Sequence, residues 1–176
     1  MRMANREALR EFQSRLTERL SAARSTGLAA SWLAVEAAQR NFLFPLAQSG
    51  EIFPWTGSQP VPYTRRWFLG VSNLRGGLYG IVDLGNYLQE ATPAAEPARE
   101  QARLVALSPA LNVSCALLID RLIGLRGVDA FVESAPAASD APAYFGSRYA
   151  DAQGLHWQEI NLQLLSQQPQ FLSIGA

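Results

Sequence analysis

Residues 68–74, Phe-Leu-Gly-Val-Ser-Asn-Leu, and residues 78–82, Leu-Tyr-Gly-Ile-Val, are short apolar runs separated only by Arg75, Gly76 and Gly77. Runs of this length and composition read as β-strands, and so short a gap leaves room only for a tight reversal. Gly76 and Gly77 reach positive φ without a Cβ penalty, so the chain turns there at little cost. The outcome is a β-hairpin holding an arginine at its turn.

The rest of the chain follows the same short period. Residues 32–36, 42–46, 103–107, 113–119, 123–127, 128–132 and 155–160 are apolar runs of strand length. Pro45 marks its run as an edge strand or a bulge. Residues 54–62 and 134–143, rich in Pro, Gly, Ala and Ser, are loops, and 91–97 is linker-like. Two segments depart from this pattern. Leu9, Phe12, Leu16 and Leu20 recur at helical spacing among charged residues, and Ser25-Thr26-Gly27 ends that helix. A helix with one narrow apolar stripe must dock, either on its own barrel or on a partner or second copy. Asn161 caps a last short helix, and residues 86–89 form another helical turn. Many short strands with closely spaced turn signals favour all-β barrels over βαβ units. Residues 80–84 and 117–121 faintly echo one another, each closing an apolar strand with an aspartate, Asp83 or Asp120.

Several chemistries are excluded. Fifteen basic residues, every one an arginine, balance fifteen acids. Without lysine there is no Walker-loop, Schiff-base or kinase lysine. Charge balance also argues against a cationic nucleic-acid binder. His156 stands alone, so no His/Cys metal cluster can form, and no Gly-x-Ser-x-Gly elbow accompanies it. It reads as structural, with a His156-based hydrolase the enzyme rival. Asp83 and Asp120 end strands and accept turn hydrogen bonds, or else form a carboxylate dyad. Cys115 sits in an apolar run and reads as a small buried hydrophobe in a reducing cytoplasm. No apolar stretch reaches the ~18 residues of a membrane span, and no signal-peptide core is visible. No metal or cofactor is expected. Trp32 and Trp157 read as core, Trp55 as exposed among prolines.

The motif Gly-Val-Ser-Asn-Leu-Arg-Gly at 70–76, followed by an apolar strand and Val-Asp-Leu at 82–84, resembles the signature of the CheW family. Similarity extends over about residues 30–166, through Gly50-Glu51-Ile52, Leu117-Leu118-Ile119-Asp120 and Glu159-Ile160-Asn161-Leu162. The amphipathic leader, Phe-Leu-Phe-Pro-Leu at 42–46 and Gly-Leu-Tyr-Gly-Ile-Val-Asp-Leu at 77–84 look most like the PilI branch, the coupling proteins of type IV pilus twitching motility. The resemblance implies an all-β fold of two five-stranded SH3-like β-barrels. These would occupy residues 28–176, after a helical extension at 1–27. It implies a cytoplasmic, non-catalytic adaptor on membrane-bound receptor arrays. Its partners would be the regulatory domain of a CheA-type histidine kinase and the tip of a methyl-accepting chemoreceptor. The weighed alternative is a single-stranded nucleic-acid-binding barrel.

Carried over by position, the receptor groove would be lined by Leu46, Ser49, Leu104, Leu122 and Leu125. Each leucine has core packing as its plain alternative, and Ser49 a turn. Trp67, Phe68 and Gly70 would face the kinase, with burial the alternative for Trp67. Glu51 and Arg75 would form a structural ion pair shaping the groove, with direct receptor contact by Arg75 the other reading. A clasp of this kind implies a coupling energy above ~1 kcal/mol between the two residues.

Overall fold

The computed structural model describes residues 30–88 and 100–176, together with Ser14. The chain divides into two units, Met1–Ala30 and Ser31–Ala176. Apart from Ser14, the helix expected around residues 9–20 lies outside the described residues, as does the linker at 91–97.

Among the described residues the strands are β1 (Ala30–Ala37), β2 (Arg40–Pro45), β3 (Ser49–Pro54), β4 (Phe68–Leu74), β5 (Gly77–Asp83), β6 (Arg103–Leu107), β7 (Cys115–Ile119), β8 (Arg121–Gly127), β9 (Phe131–Ala135), β10 (Phe145–Asp151) and β11 (His156–Ile160). Three short helices, α1 (Leu84–Leu88), α2 (Leu162–Ser166) and α3 (Pro169–Leu172), lie between and after these strands among the residues described from 30 onward. The strands build a five-stranded sheet, β3-β6-β7-β5-β4, and a six-stranded sheet, β8-β1-β2-β11-β10-β9. The expected pair of β bodies is present, one with a sixth strand. Their make-up does not follow chain order, because β1 and β2 join the C-terminal strands through a parallel β2–β11 pair.

Both sheets curl. Glu51 on edge strand β3 meets Arg75, in the turn at the other edge, at 2.8 Å. In a flat sheet those edges would stand about 17–19 Å apart, beyond the reach of the two side chains. In the six-stranded sheet Trp32 of β1 and Phe131 of β9, four strands apart, bring their rings to 5.8 Å.

Alternation along the strands sorts the apolar side chains into three cores. Leu104, Ala106, Ala116, Leu118 and Ile81 pack inside the five-stranded body. Trp32, Ala34, Leu43 and Trp157 pack inside the six-stranded one. The opposite faces of the same strands, with Val35, Phe42, Phe44, Val82, Val105, Leu117 and Ile119, meet in a common core. Strands buried on both faces explain the continuous apolar runs of β2, β6 and β7.

Several local expectations need correction. Pro45 does not mark an edge: β2 lies between β1 and β11, and Pro45 is its last residue, leading into a 3-10 turn at Leu46–Gln48. Residues 128–132 are not one strand but a 3-10 turn, Val128–Ala130, followed by β9. Strand β10 went unread because Phe-Gly-Ser-Arg-Tyr-Ala-Asp carries little apolar alternation; its place comes from pairing with β9 and β11. The hairpin turn is Arg75-Gly76, at φ of +48° and +81°, and Gly77 already belongs to β5. Both central residues at positive φ define the type I′ geometry that suits the twist of a hairpin. Asn73 Oδ1 accepts from Gly76 N at 2.9 Å and braces it. As expected, Asn161 caps α2, its Oδ1 accepting from Leu164 N at 3.0 Å.

Candidate partner-binding surfaces

The residues around the hairpin divide sharply by accessibility. Trp67 is 3% exposed. Its ring stacks on Phe171 at 6.1 Å and meets Tyr87 edge-on at 5.1 Å. It is a core residue joining β4 to α1 and α3, not a surface for a kinase. Gly70 is buried too, at φ +121°, and a Cβ there would lie 2.0 Å from the Gln59 carbonyl oxygen. Gln59 and Val71 exchange two backbone hydrogen bonds, 2.8 and 2.9 Å, so Gly70 admits a crossing chain rather than a partner. Phe68 is half-buried and the most accessible of the three.

The proposed groove residues also separate. Leu104 is 1% exposed inside the five-stranded body and takes the core-packing alternative. Leu46 and Leu122 are partly buried at the margin of the common core. Ser49 is half-buried and its Oγ donates to Pro45 O at 3.0 Å, a turn bond. Leu125 is 57% exposed. With Val128 and Val132 it leaves apolar side chains open on β8, the following 3-10 turn and β9. Leu78, beside the hairpin turn, is likewise exposed. None of these last three stood out in sequence, because an apolar residue in a strand carries no mark of the face it occupies.

Glu51 is aimed by an irregularity. The β3–β6 register shifts between Ser49 and Ile52, and a Cβ on Gly50 would lie 2.9 Å from Leu107 O. Glycine lets the two strands touch, and the shift turns Glu51 outward. The resulting ion pair is short, but the side chains of Arg75 and Glu51 remain 76% and 44% exposed. Solvent screening limits such a pair to under about 1 kcal/mol. We therefore expect a Glu51→Ala/Arg75→Ala double-mutant cycle to give a coupling below ~1 kcal/mol in thermal or urea unfolding. A larger coupling would restore the strong clasp. With the fold held by its cores, the pair marks an exposed charged seam.

Asp83 and Asp120 both accept local hydrogen bonds, the turn role expected of them. Asp83 accepts from Asn86 N at 3.0 Å and from Asn86 Nδ2 at 3.1 Å, opening α1. Asp120 sits where the chain leaves β7 for β8, between the two sheets. Its N–H donates to Glu36 O at 2.9 Å, and its Oδ2 accepts from Ala38 N at 2.9 Å. Burial pushes its carboxyl above the usual range; the Ala38 N–H offsets part of this, and Asp83 and Glu36 add to it. The folded protein then keeps a proton that the unfolded chain has lost, so this group's contribution to stability falls as pH rises from 3.8 through its raised value. Asp120→Asn should flatten that part of the stability–pH curve while keeping an acceptor for Ala38 N. Asp120→Ala should flatten it too, and also cost about 1–2 kcal/mol for the orphaned N–H. Urea unfolding from pH 3.5 to 7 checks both; an unchanged slope in Asp120→Asn would remove Asp120 as its source.

Cys115 is buried, and desolvation pushes its thiol up to about 12, so it is an unreactive core residue. His156 is exposed on β11. Trp55 is partly buried against the core of the five-stranded body, not free among its prolines. No group of three or more His, Cys, Asp or Glu able to hold a metal occurs among the described residues.

Two curled sheets around a shared core leave apolar and charged surfaces open. The sequence profile of the CheW-like domain matches residues 31–169, and the chain belongs to that family. It is 31% identical over 99 residues to Protein PilI of Pseudomonas aeruginosa, covering 55% of this chain and 53% of the relative. The match thus spans about half the length of that curated relative. In three dimensions the chain is similar to the scaffolding protein TtCheW from Thermoanaerobacter tengcongensis, with a TM-score of 0.61 at 14% identity. That likeness covers 78% of this chain and 92% of the other, and shows the fold.

Proposed function

We propose that this protein is a non-catalytic coupling adaptor linking methyl-accepting chemoreceptors to a CheA-type histidine kinase, in a cytoplasmic chemosensory system that drives type IV pilus twitching motility. The observation that carries the reading is the CheW-like match over residues 31–169, joined to the similarity to PilI. The surfaces support it. Adaptor interfaces need accessible apolar anchors with a polar rim. Leu125 with Val128 and Val132, and Leu78 beside the Glu51–Arg75 seam, have that composition. We assign Leu46, Ser49, Leu122 and Leu125 to the receptor side. The Glu51–Arg75 pair shapes that side, and Phe68 belongs to the kinase side.

The mechanism is double occupancy: a rigid body holding receptor and kinase together transmits a change in receptor geometry without making or breaking a covalent bond. Rigidity follows from the common core, which locks the two β bodies to each other. The test is retention of the kinase regulatory domain and of a receptor-tip fragment on immobilised protein, singly and together. Leu125→Asp should weaken receptor retention about tenfold and leave the kinase in place, and Phe68→Ala, in a variant whose melting is unchanged, should do the converse. Retention of neither partner by the wild-type protein would end the adaptor reading. Salt-sensitive binding of oligonucleotides in its place would favour the nucleic-acid alternative.

A further inference from the structure

A cleft of about 640 Å³ opens on the six-stranded sheet, lined by residues of β2, β9, β10 and β11. Strand register shows what faces it. Arg148 of β10 lies beside Gln158 of β11 and Phe42 of β2. One row along, Ala150 of β10 lies beside His156 of β11 and Glu133 of β9, and the β2–β11 register places Arg40 next to His156. Alternation puts these two rows on one face, opposite Tyr149 and Trp157, which point into the body's own core. The face is therefore lined by Arg40, Arg148, His156 and Gln158, with one acid, Glu133.

The two guanidiniums have no carboxylate partner among the described residues. Arg40 lies over the rings of Phe42 at 5.1 Å and Phe145 at 5.8 Å, which fixes its plane without using its N–H donors. Arg148 commits only its Nε, to Pro136 O at 3.3 Å. A guanidinium with free donors is a fork for a carboxylate. Their strands stand two spacings apart, about 10 Å. One small anion cannot span that gap. Two carboxylates at alternate positions of an extended chain, about 7 Å apart at the backbone, can. Two arginines on a chain of net charge zero make too small a footprint for a nucleic-acid backbone.

We propose that this cleft is a peptide site that binds an extended segment with acidic residues at alternate positions, its carboxylates seated on Arg40 and Arg148. The site is independent of the adaptor reading and stands or falls without it. The test uses a fluorescein-labelled decapeptide of alternating Glu and Val, followed by anisotropy at low salt, against the same peptide with Gln for Glu. The Glu peptide should bind saturably and the Gln peptide at least about tenfold more weakly. Arg148→Gln and Arg40→Gln should each cost the Glu peptide a similar factor, with amide shifts on binding confined to β9, β10, β11 and the start of β2. Both variants replace exposed side chains, and unchanged melting verifies their fold. Equal binding of the two peptides, indifference to both substitutions, or tighter binding of a single-stranded oligonucleotide would overturn the proposal. So would no binding of the Glu peptide at about 1 mM.

Discussion

Trp67→Ala is expected to lower stability by about 3–5 kcal/mol, the range for truncating a buried aromatic where the surroundings cannot collapse. Trp67 is 3% exposed and touches Phe68, Tyr87 and Phe171, so its loss would unseat α1 and α3 together. In thermal melts of a chain this size that is a fall on the order of 10 °C. Trp67→Phe should be far milder, about 1 kcal/mol. The Trp67 Nε1 is buried with no hydrogen-bond partner, so phenylalanine gives up volume but removes an unmet polar group. The pair of variants separates a core role from a contact role. An alanine variant that melts like wild type yet no longer holds the kinase domain would show Trp67 to be an interface residue after all.

Gly70→Ala is expected to cost about 3–4 kcal/mol, more than most glycine substitutions in strands. Two costs add. The backbone sits at φ +121°, which L-residues avoid, and the new methyl would overlap the Gln59 carbonyl oxygen at 2.0 Å, its carbon at 2.7 Å and Pro60 Cα at 2.9 Å. Relief requires the Gln59–Val71 bridge to open, losing two backbone hydrogen bonds. Urea unfolding measures the loss, and hydrogen exchange at Val71 should rise with it. Full stability with a protected Val71 amide would show that the crossing segment gives way at no cost. Where stability does fall, any loss of partner binding in Gly70 variants is traceable to the fold, which makes exposed residues such as Arg75 and Leu125 the better probes of interfaces.

Acid titration should show opposing contributions. Asp151 accepts from Gln153 N and Leu155 N at 3.0 Å each and from Trp157 Nε1 at 3.1 Å. Slight desolvation raises its carboxyl, but these bonds and the Arg126 charge outweigh that and hold it below the usual range. Its contribution is present above the ordinary aspartate value and is lost as pH falls through the lowered one. Asp120 has the opposite sign, so the contributions of the two groups oppose each other in the acid range.

Local chemistry made much of this protein legible before any coordinates. The hairpin, the strand of Arg103–Leu107, the capped helix after Asn161, the buried Cys115 and the family motif all depend on near neighbours in the chain: turn residues, apolar period, a cap. What tertiary structure alone decided was which strands share a sheet, and which face of each strand is inside. No residue of β2 announces that it pairs with the last strand instead of the third, since backbone hydrogen bonds carry no sequence label. Nor could period-two alternation tell Leu104 from Leu125, because a strand in a doubly covered sheet is apolar on both faces while an edge strand may leave one open. Exposure is a property of the surroundings, and it is exposure that turned Trp67, Gly70 and Leu104 into framework and left Arg75, Leu78 and Leu125 open to solvent.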